Sequence, residues 1–566
     1  MNRETILKCK QFLAARRGEL LTFAALLVVS IVAFGQFNSR ILFLDDWSFI
    51  VERFAFGTLS PFDLTDRRPF LMAFHSVLAA IFGLQFQYYY FFNFIILFLS
   101  ALLVYSILKR IFPTQAWIAS LVALVYLIYP VDTTRTWMNT TSNRFWWLVS
   151  LGAIWLLLEF VVSGKAWTVV LAIIGAAISL GAYEGQFGIL LLAGILIAVF
   201  ANQFPLKRRI TVLLAVAGTG VSFALWRTLL QPRFFHVRDT YVETLQFNPV
   251  VLAERYLHGF YIFSIGWLEP IQTQLQLLGV NLLPWLLFYI VTCCAVILWM
   301  SARRNARNEI KIKLETHNKT QEAKIYLTML LVGFAFWVAG YIPIIFLYSP
   351  SVSLVASRVN FFSVPGAALI LVATIALLAT FVTRSTFTQR SVVVAIILPF
   401  LVAGIFEQFQ VNWENQVKWE TQKQIWRGIF TTISNLRDQS TIVIIIPGYE
   451  HLRPFESYPF LASWETASGA RVLYNNQTIS GNYYYKDIPS AELLFTPNGF
   501  RPIPTNKPIP YKRLVFVLYD PASESVTLVD DLQKTLALPF KANNYNPGEN
   551  IISAKPSTGK FRWLVE

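Results

Sequence analysis

Residues 41–54 read ILFLDDWSFIVERF and place two adjacent carboxylates, Asp45 and Asp46, just after the first long apolar run of the chain. A charged carboxylate near a bilayer is costly unless it is solvated, paired or liganded. Two adjacent carboxylates repel each other, so one should have a raised pKa unless a cation lies nearby. The pair suits a general base next to a ligand-binding carboxylate. It also suits a solvated loop start, or the cap of a helix beginning at Trp47.

The composition around this stretch is that of a polytopic α-helical membrane protein. The 566 residues are 55% hydrophobic and 14% charged, whereas soluble proteins are about 25% charged. The net charge of +15 lies mostly in short segments between apolar runs, which is typical of cytoplasmic loops and does not favour nucleic acid as a partner. The cysteines, Cys9, Cys293 and Cys294, do not indicate a disulfide framework.

The apolar runs predict about eleven spans, with a cytoplasmic N-terminus because basic residues precede the first run. The predicted spans are residues 20–37, 88–108, 115–130, 145–162, 166–182, 185–200, 210–230, 280–300, 325–347, 361–382 and 391–409. On this count the external acidic loop, residues 40–87, lies outside the cytoplasm. A shorter apolar helix at 70–83 is expected to lie in the membrane interface.

The composition changes after residue 410, so we predict a transmembrane domain at 1–410 and a soluble extracytoplasmic α/β domain at 411–566. Ile425, Ile429, Ile433 and Leu436 recur at helical spacing. The segment STIVIIIPG is typical of a buried strand. Further strands are predicted in RVLYN, AELLFTP, RLVFVLYDP and SVTLVDD.

The order of elements after the acidic pair resembles the GT-C superfamily of membrane glycosyltransferases, in particular the protein O-mannosyltransferases and aminoarabinose transferases. After Asp45 and Asp46 come RRPF, an apolar helix closing at IFG, a span ending in LKR and another ending in YP. SLGAYEGQFGILLL resembles the family segment with an acidic residue, here Glu184, at the outer start of a span. SRVNFFSVPGAAL matches a family segment at Arg358 and Pro365, with Val359 where the family has tyrosine.

The resemblance implies transfer of a hexose or pentose from a polyprenyl-phosphate or pyrophosphate donor. The acceptor would be a glycan, a lipid or a protein on the extracytoplasmic face. Asp45, Asp46 and Glu184 would be catalytic, with Asp45 the preferred base. Basic residues would hold the lipid phosphate, because arginine binds phosphate oxygens in pairs. The substrate-binding candidates are Arg358, Arg144, Arg68, Arg67 and His75. Each arginine is equally able to be an interfacial anchor or a salt-bridge partner, and His75 a packed polar residue.

No cofactor is required by this chemistry, although the Asp45/Asp46 pair is compatible with a divalent metal. The chain has neither a P-loop nor a GxGxxG motif, so nucleotide binding has no support. The expected location is the bacterial plasma membrane, as a multi-pass protein of the cell envelope in contact with membrane lipid. The alternatives are a transporter or flippase of lipid-linked sugar and a membrane-anchored scaffold. A transporter predicts ionisable residues at mid-span, whereas the charges here gather at span ends.

Overall fold

The computed structural model describes most of the chain and gives the bounds of its elements. The described residues are 16–36, 41–42, 45–58, 68–235, 245–269, 271–272, 312–352, 354–383, 385–446, 459–460, 462–485, 493–502, 508–552 and 560–565.

The described part is mostly helical. Its longer helices are α1 Arg17–Phe34, α2 Pro69–Phe82, α3 Phe86–Ile111, α4 Ala116–Ile128, α5 Thr141–Ser163, α6 Ala166–Ala182, α7 Phe187–Phe200, α8 Leu206–Leu225, α9 Pro249–Tyr261, α10 Ile312–Ile345, α11 Val364–Val382, α12 Thr386–Thr432 and α13 Ser463–Tyr474. A π-helix, Trp47–Glu52, follows the acidic pair. Two 3₁₀ helices, Glu184–Gln186 and Leu354–Ser363, precede α7 and α11.

The helical membrane architecture predicted from the apolar runs is confirmed. Each predicted span coincides with a helix, except 280–300, which lies outside the described residues. Within the described part, seven helices are long and apolar enough to cross a membrane. Helix α6 and the segments Pro113–Ile128 and Glu184–Phe200 are shorter. A helix of that length, rising about 1.5 Å per residue, does not reach across a core of about 30 Å. The total of eleven spans stays a prediction.

Charged residues pair at one end of the helix bundle. Lys109 at the end of α3 pairs with Glu19 at the start of α1, and Arg110 pairs with Glu159 near the end of α5. Arg208 donates to the carbonyl oxygens of Val161 and Val162, both at 3.0 Å. Loops predicted to be extracytoplasmic therefore gather at the opposite end. Which end faces the cytoplasm stays a prediction.

The C-terminal region contains a four-stranded sheet ordered β2-β1-β6-β7. Its strands are β1 Thr441–Ile446, β2 Ser480–Tyr485, β6 Leu514–Asp520 and β7 Ser525–Leu528. The central strand β1 is wholly buried and pairs in parallel with β2 and β6, while β7 is antiparallel to β6. A smaller antiparallel sheet contains β3 Leu493–Thr496, β4 Gly499–Pro502 and β5 Ile509–Pro510. The predicted strand-containing region is present.

Two details of the C-terminal prediction differ from the structure. The predicted strand RVLYN is wrong, since these residues end helix α13, which Asn475 terminates with a φ of 51°. Helix α12 runs without interruption through residues 410 and 411, so no element ends at the predicted domain boundary. Ile425 and Ile429 of α12 are fully buried, as their helical spacing predicted, whereas Ile433 and Leu436 are buried beyond the end of the helix.

Candidate active site

The Asp45 carboxylate lies between the membrane helices and the C-terminal region. The indole Nε1 of Trp464, at the start of α13, donates a hydrogen bond to Asp45 Oδ1 at 2.7 Å. Burial raises the pKa of Asp45 above its usual range, while the Trp464 bond and the positive charge of Arg358 oppose that rise. A carboxylate with a raised pKa, next to a cation, has the properties of a general base.

Asp46 lines a cavity whose lining does not include Asp45. Its side chain is buried, with 1% of its surface exposed. It lines a cavity of about 380 Å³, which we call the Asp46 pocket, with Phe34, Gln36, Ile41, Tyr90, Thr136, Trp137, Asn412 and Asn415. Successive side chains on a helix diverge by about 100°, given 3.6 residues per turn, and both aspartates lie at the start of the helical segment. The two carboxylates are thus available for separate tasks.

Arg358 lines a second cavity of about 240 Å³, which we call the arginine pocket, with Asp132, Thr134, Thr140, Asn143, Arg144, Tyr183, Phe361 and Phe362. The 3₁₀ helix that contains Arg358 is fixed to the loop between α4 and α5. Ser357 Oγ and Thr133 Oγ1 are 2.8 Å apart, and Asn360 Nδ2 donates to the Val131 carbonyl oxygen at 2.7 Å. Val359, which replaces the family's tyrosine, is buried and does not line this pocket.

A buried polar network forms one wall of the arginine pocket. Arg144 Nη1 donates to Thr140 Oγ1 at 2.6 Å, and Arg144 Nη2 lies 3.5 Å from Asp132 Oδ2. Arg135 Nε approaches the same carboxylate oxygen at 3.8 Å. Asp132 was not among the predicted site residues. The sequence has Asp132 shortly before two arginines, Arg135 and Arg144, and arginines that become buried need such a counter-charge.

Glu184 pairs with Arg68 in a two-pronged ion pair. Arg68 Nε donates to Oε2 at 3.0 Å and Arg68 Nη2 to Oε1 at 2.5 Å. The Arg68 guanidinium also lies 4.4 Å from the ring centre of Tyr183, which stacks on Phe362 with ring centres 5.5 Å apart. Both rings line the arginine pocket. Glu184 thus reaches the site as the partner of Arg68, beside the pocket that contains Arg358.

The remaining predicted site residues are His75 and Arg67. Burial lowers the pKa of His75 to about 3, with a smaller contribution from the charge of Arg53, so the imidazole is neutral. It packs against Phe49 with ring centres 5.7 Å apart. Arg67 lies outside the described residues. Among the residues that the structure describes, no group of three or more His, Cys, Asp or Glu side chains could hold a metal ion. A metal at Asp45/Asp46 stays a prediction.

Residues 66–226 match the sequence family described as dolichyl-phosphate-mannose-protein mannosyltransferase. The predicted resemblance to GT-C glycosyltransferases is confirmed. The matched stretch includes Arg68, Arg144 and Glu184, and it begins after the acidic pair and ends before Arg358. The match covers 161 of the 566 residues and shows a resemblance over that stretch.

Two solved structures are similar to this chain in outline. The crystal structure of ArnT from Cupriavidus metallidurans bound to undecaprenyl phosphate is 12% identical, with a TM-score of 0.37 over 83% of this chain and 90% of that chain. ArnT from the same organism in the apo state is 13% identical, with a TM-score of 0.37 over 76% and 82% of the two chains. No curated protein sequence matches this chain. Similarity at this level does not indicate which residues form the site.

Proposed function

We propose that this chain transfers a sugar from a polyprenyl-phosphate or pyrophosphate donor to a hydroxyl acceptor at the end of the bundle that contains Asp45. The observation that carries the proposal is that Arg358, whose positive charge acts on the Asp45 carboxylate, lines a pocket that Arg144 also lines. Asp45 can accept a proton and Arg358 can bind an anion. The family match to enzymes that use dolichyl-phosphate mannose supports the same donor class.

Arg358 is the residue that we assign to the donor phosphate. Its guanidinium is half-buried, and no ion pair within 4 Å joins it to a carboxylate of the described residues. Arg144 is already engaged by Asp132 and Thr140, so it forms the wall of the pocket and adds positive potential. Arginine stays charged and binds phosphate oxygens in pairs. The pocket therefore suits a phosphate whose negative charge increases as the sugar leaves.

Asp45 is the residue that we assign to the acceptor. In the proposed step the acceptor hydroxyl loses its proton to Asp45 as its oxygen attacks the anomeric carbon. The bond from that carbon to the phosphate oxygen breaks, and its electron pair stays on the lipid phosphate beside Arg358. Attack opposite the leaving phosphate inverts the anomeric configuration. The raised pKa of Asp45 makes it a better proton acceptor than an ordinary aspartate.

The proposal is tested by sugar transfer in membranes. Undecaprenyl-phosphate donors with a radiolabelled hexose or pentose are supplied in turn to wild type, Asp45→Asn and Asp46→Asn. We expect Asp45→Asn to lower transfer by about 10²- to 10⁴-fold, the range for loss of a general base. The matched control is Asp530→Asn, an exposed aspartate of the C-terminal region, which should keep wild-type activity. Full transfer by Asp45→Asn would refute the assignment of Asp45 as the base.

A further inference from the structure

Helix α13 of the C-terminal region contacts the acidic loop at two points. Trp464 donates its indole N–H to Asp45 Oδ1 at 2.7 Å. Farther along the same helix, Arg471 Nη1 pairs with Glu52 in the π-helix that follows Asp45. Residues 464 and 471 are about two turns apart, given 3.6 residues per turn, and so lie on one face of α13. This face is turned toward the acidic loop.

The acidic loop and the C-terminal region also share one hydrophobic core. Trp47, Ile50 and Val51 of the π-helix belong to the same buried cluster as Trp426 and Leu473. The rings of Trp47 and Trp419 lie 6.0 Å apart at their centres. A shared core fixes α13 relative to the loop, so the donor Trp464 and the acceptor Asp45 are both kept in place.

The Trp464 ring does not serve as a core side chain. Half of its surface, 51%, is exposed, although tryptophan usually buries most of its area. Its hydrogen bond occupies one carboxylate oxygen of Asp45 and leaves Oδ2 to meet a substrate. The same bond favours the ionised carboxylate and opposes the effect of burial.

We infer that Trp464 is a positioning residue for Asp45, through which the C-terminal α/β region completes the active site. Trp464 orients the carboxylate and keeps more of it in the proton-accepting form. The role in catalysis rests on the proposed function of Asp45. The contact itself can be measured without any sugar donor.

A spectroscopic experiment tests the contact. The chain has 17 tryptophans, so protein labelled with 5-fluorotryptophan is compared with its Trp464→Phe variant, and the ¹⁹F signal that disappears is assigned to Trp464. We expect this signal to shift with pH at a midpoint above 3.8, the ordinary value for aspartate. It should not shift in Asp45→Asn. A signal that ignores pH, or that titrates equally in Asp45→Asn, would overturn the inference.

A kinetic experiment tests the positioning role. It uses whichever donor supports sugar transfer in the membrane assay proposed for wild type. Trp464→Phe keeps an aromatic ring and removes the N–H. Because half of the ring is exposed, we expect this variant to keep its fold. Loss of a hydrogen bond to a charged group should move the acid limb of the kcat/KM profile upward by about one pH unit. It should also lower kcat by about tenfold, with an unchanged KM for the donor. The control is Trp563→Phe, another half-exposed tryptophan of the C-terminal region.

The charged groups around Asp45 make the pH readout interpretable. Arginine side chains stay charged over the accessible pH range, and Asp46 is present in both proteins. An acid limb and kcat equal to wild type in Trp464→Phe would overturn the inference, even if Asp45→Asn is inactive. Full activity of Asp45→Asn would instead overturn the proposed function, while the ¹⁹F titration would still report the contact.

Discussion

The two aspartates of the acidic pair differ because a helix turns them toward different surroundings. Asp45 meets Trp464 and the field of Arg358, whereas Asp46 is buried at the wall of the Asp46 pocket. Repulsion between neighbours alone would raise one pKa without saying which. The contact with Trp464 and the raised pKa are the grounds on which we assign Asp45 as the proton acceptor.

Asp45 should reduce the stability of the folded protein at neutral pH. Its folded-state pKa lies above the usual value, so the folded protein holds this proton more tightly than the unfolded chain. The stability that Asp45 contributes is therefore greatest at low pH and is lost as the pH rises through the folded-state pKa. We expect Asp45→Asn to raise the melting temperature by about 2 °C at pH 7.5. The difference from wild type should shrink toward pH 4.

Differential scanning fluorimetry in detergent measures this effect. Asparagine keeps an Oδ1 that accepts the Trp464 hydrogen bond, so the variant changes charge more than shape. Asp530→Asn supplies the baseline for removing an exposed aspartate. A lower melting temperature for Asp45→Asn at pH 7.5 would mean that the ionised carboxylate stabilises the fold, contrary to this account.

The Arg68–Glu184 pair allows a second prediction at the level of single residues. Both side chains are largely buried, with 25% and 22% of their surfaces exposed. If Glu184 acts by holding Arg68 over Tyr183, then Arg68→Gln, Glu184→Gln and the double variant should lose similar activity, about tenfold each. Contacting residues are non-additive in this way. If Glu184→Gln costs far more than Arg68→Gln in the transfer assay, Glu184 has a catalytic role of its own.

Helices α10 and α11 pack closely because glycines remove the side chains between them. A Cβ built on Gly366 would lie 2.3 Å from the backbone nitrogen of Trp337 and 2.6 Å from the carbonyl oxygen of Gly333. These are backbone atoms of the neighbouring helix, so they cannot yield as a flexible side chain would. Small residues allow such close approach between membrane helices. This helix pair also fixes the 3₁₀ segment that contains Arg358, which directly precedes α11.

Gly366→Ala should therefore destabilise the protein and reduce its transfer activity. Forcing one methyl group into this contact should cost about 1–3 kcal/mol, measured as a lower melting temperature in detergent. Gly218→Ala in α8 is the matched control, because a Cβ there meets no atom within 4 Å. Alanine in a helix interior is favoured over glycine by about 1 kcal/mol, so the control should be neutral or slightly stabilising. Equal effects of the two substitutions would contradict the packing argument.

The elements that the sequence predicted best are those with a long periodic pattern. Uninterrupted apolar runs located the helices of the bundle, and the spacing of Ile425 and Ile429 located the buried face at the end of α12. The RVLYN prediction failed because the β-prone residues Val472 and Tyr474 continue a helix that begins with the preceding small residues of α13. Ala467 and Ala470 of that helix are buried. Packing of the buried face of α13 therefore outweighed the local β-propensity of the RVLYN segment.

The candidate site could be predicted only where its chemistry lies within short motifs. Asp45, Glu184 and Arg358 each stand at a span end, so topology placed them at one end of the bundle. Trp464 could not be found this way, because 419 positions separate it from Asp45 and a lone tryptophan at the start of a helix has no distinctive pattern. Contacts of that sequence separation come from how the C-terminal region packs on the acidic loop.

The whole molecule is connected by helix α12, which extends from the membrane bundle into the C-terminal region. Its 47 residues span about 70 Å at 1.5 Å per residue. Gly404 of α12 lies against the carbonyl of Ile128 in α4. At the far end, a Cβ on Gly428 would lie 2.5 Å from Val526 of β7. The same helix thus packs closely on both parts, which favours one orientation of the sheet over the acidic loop.

The ion pair between Glu52 and Arg471 tests whether that orientation matters for activity. Exposed ion pairs contribute about 0–1 kcal/mol, but this one is partly buried, with 18% and 30% of the two side chains exposed. Like charges brought together here should push α13 away from the loop and move Trp464 from Asp45. We expect Glu52→Arg and Arg471→Glu each to lower sugar transfer by about tenfold, and the double variant, which restores opposite charges, to recover most of it. Neither single residue is assigned to substrate, so recovery would be due to docking. If both single variants keep wild-type transfer, the C-terminal region is held in place by its hydrophobic core alone.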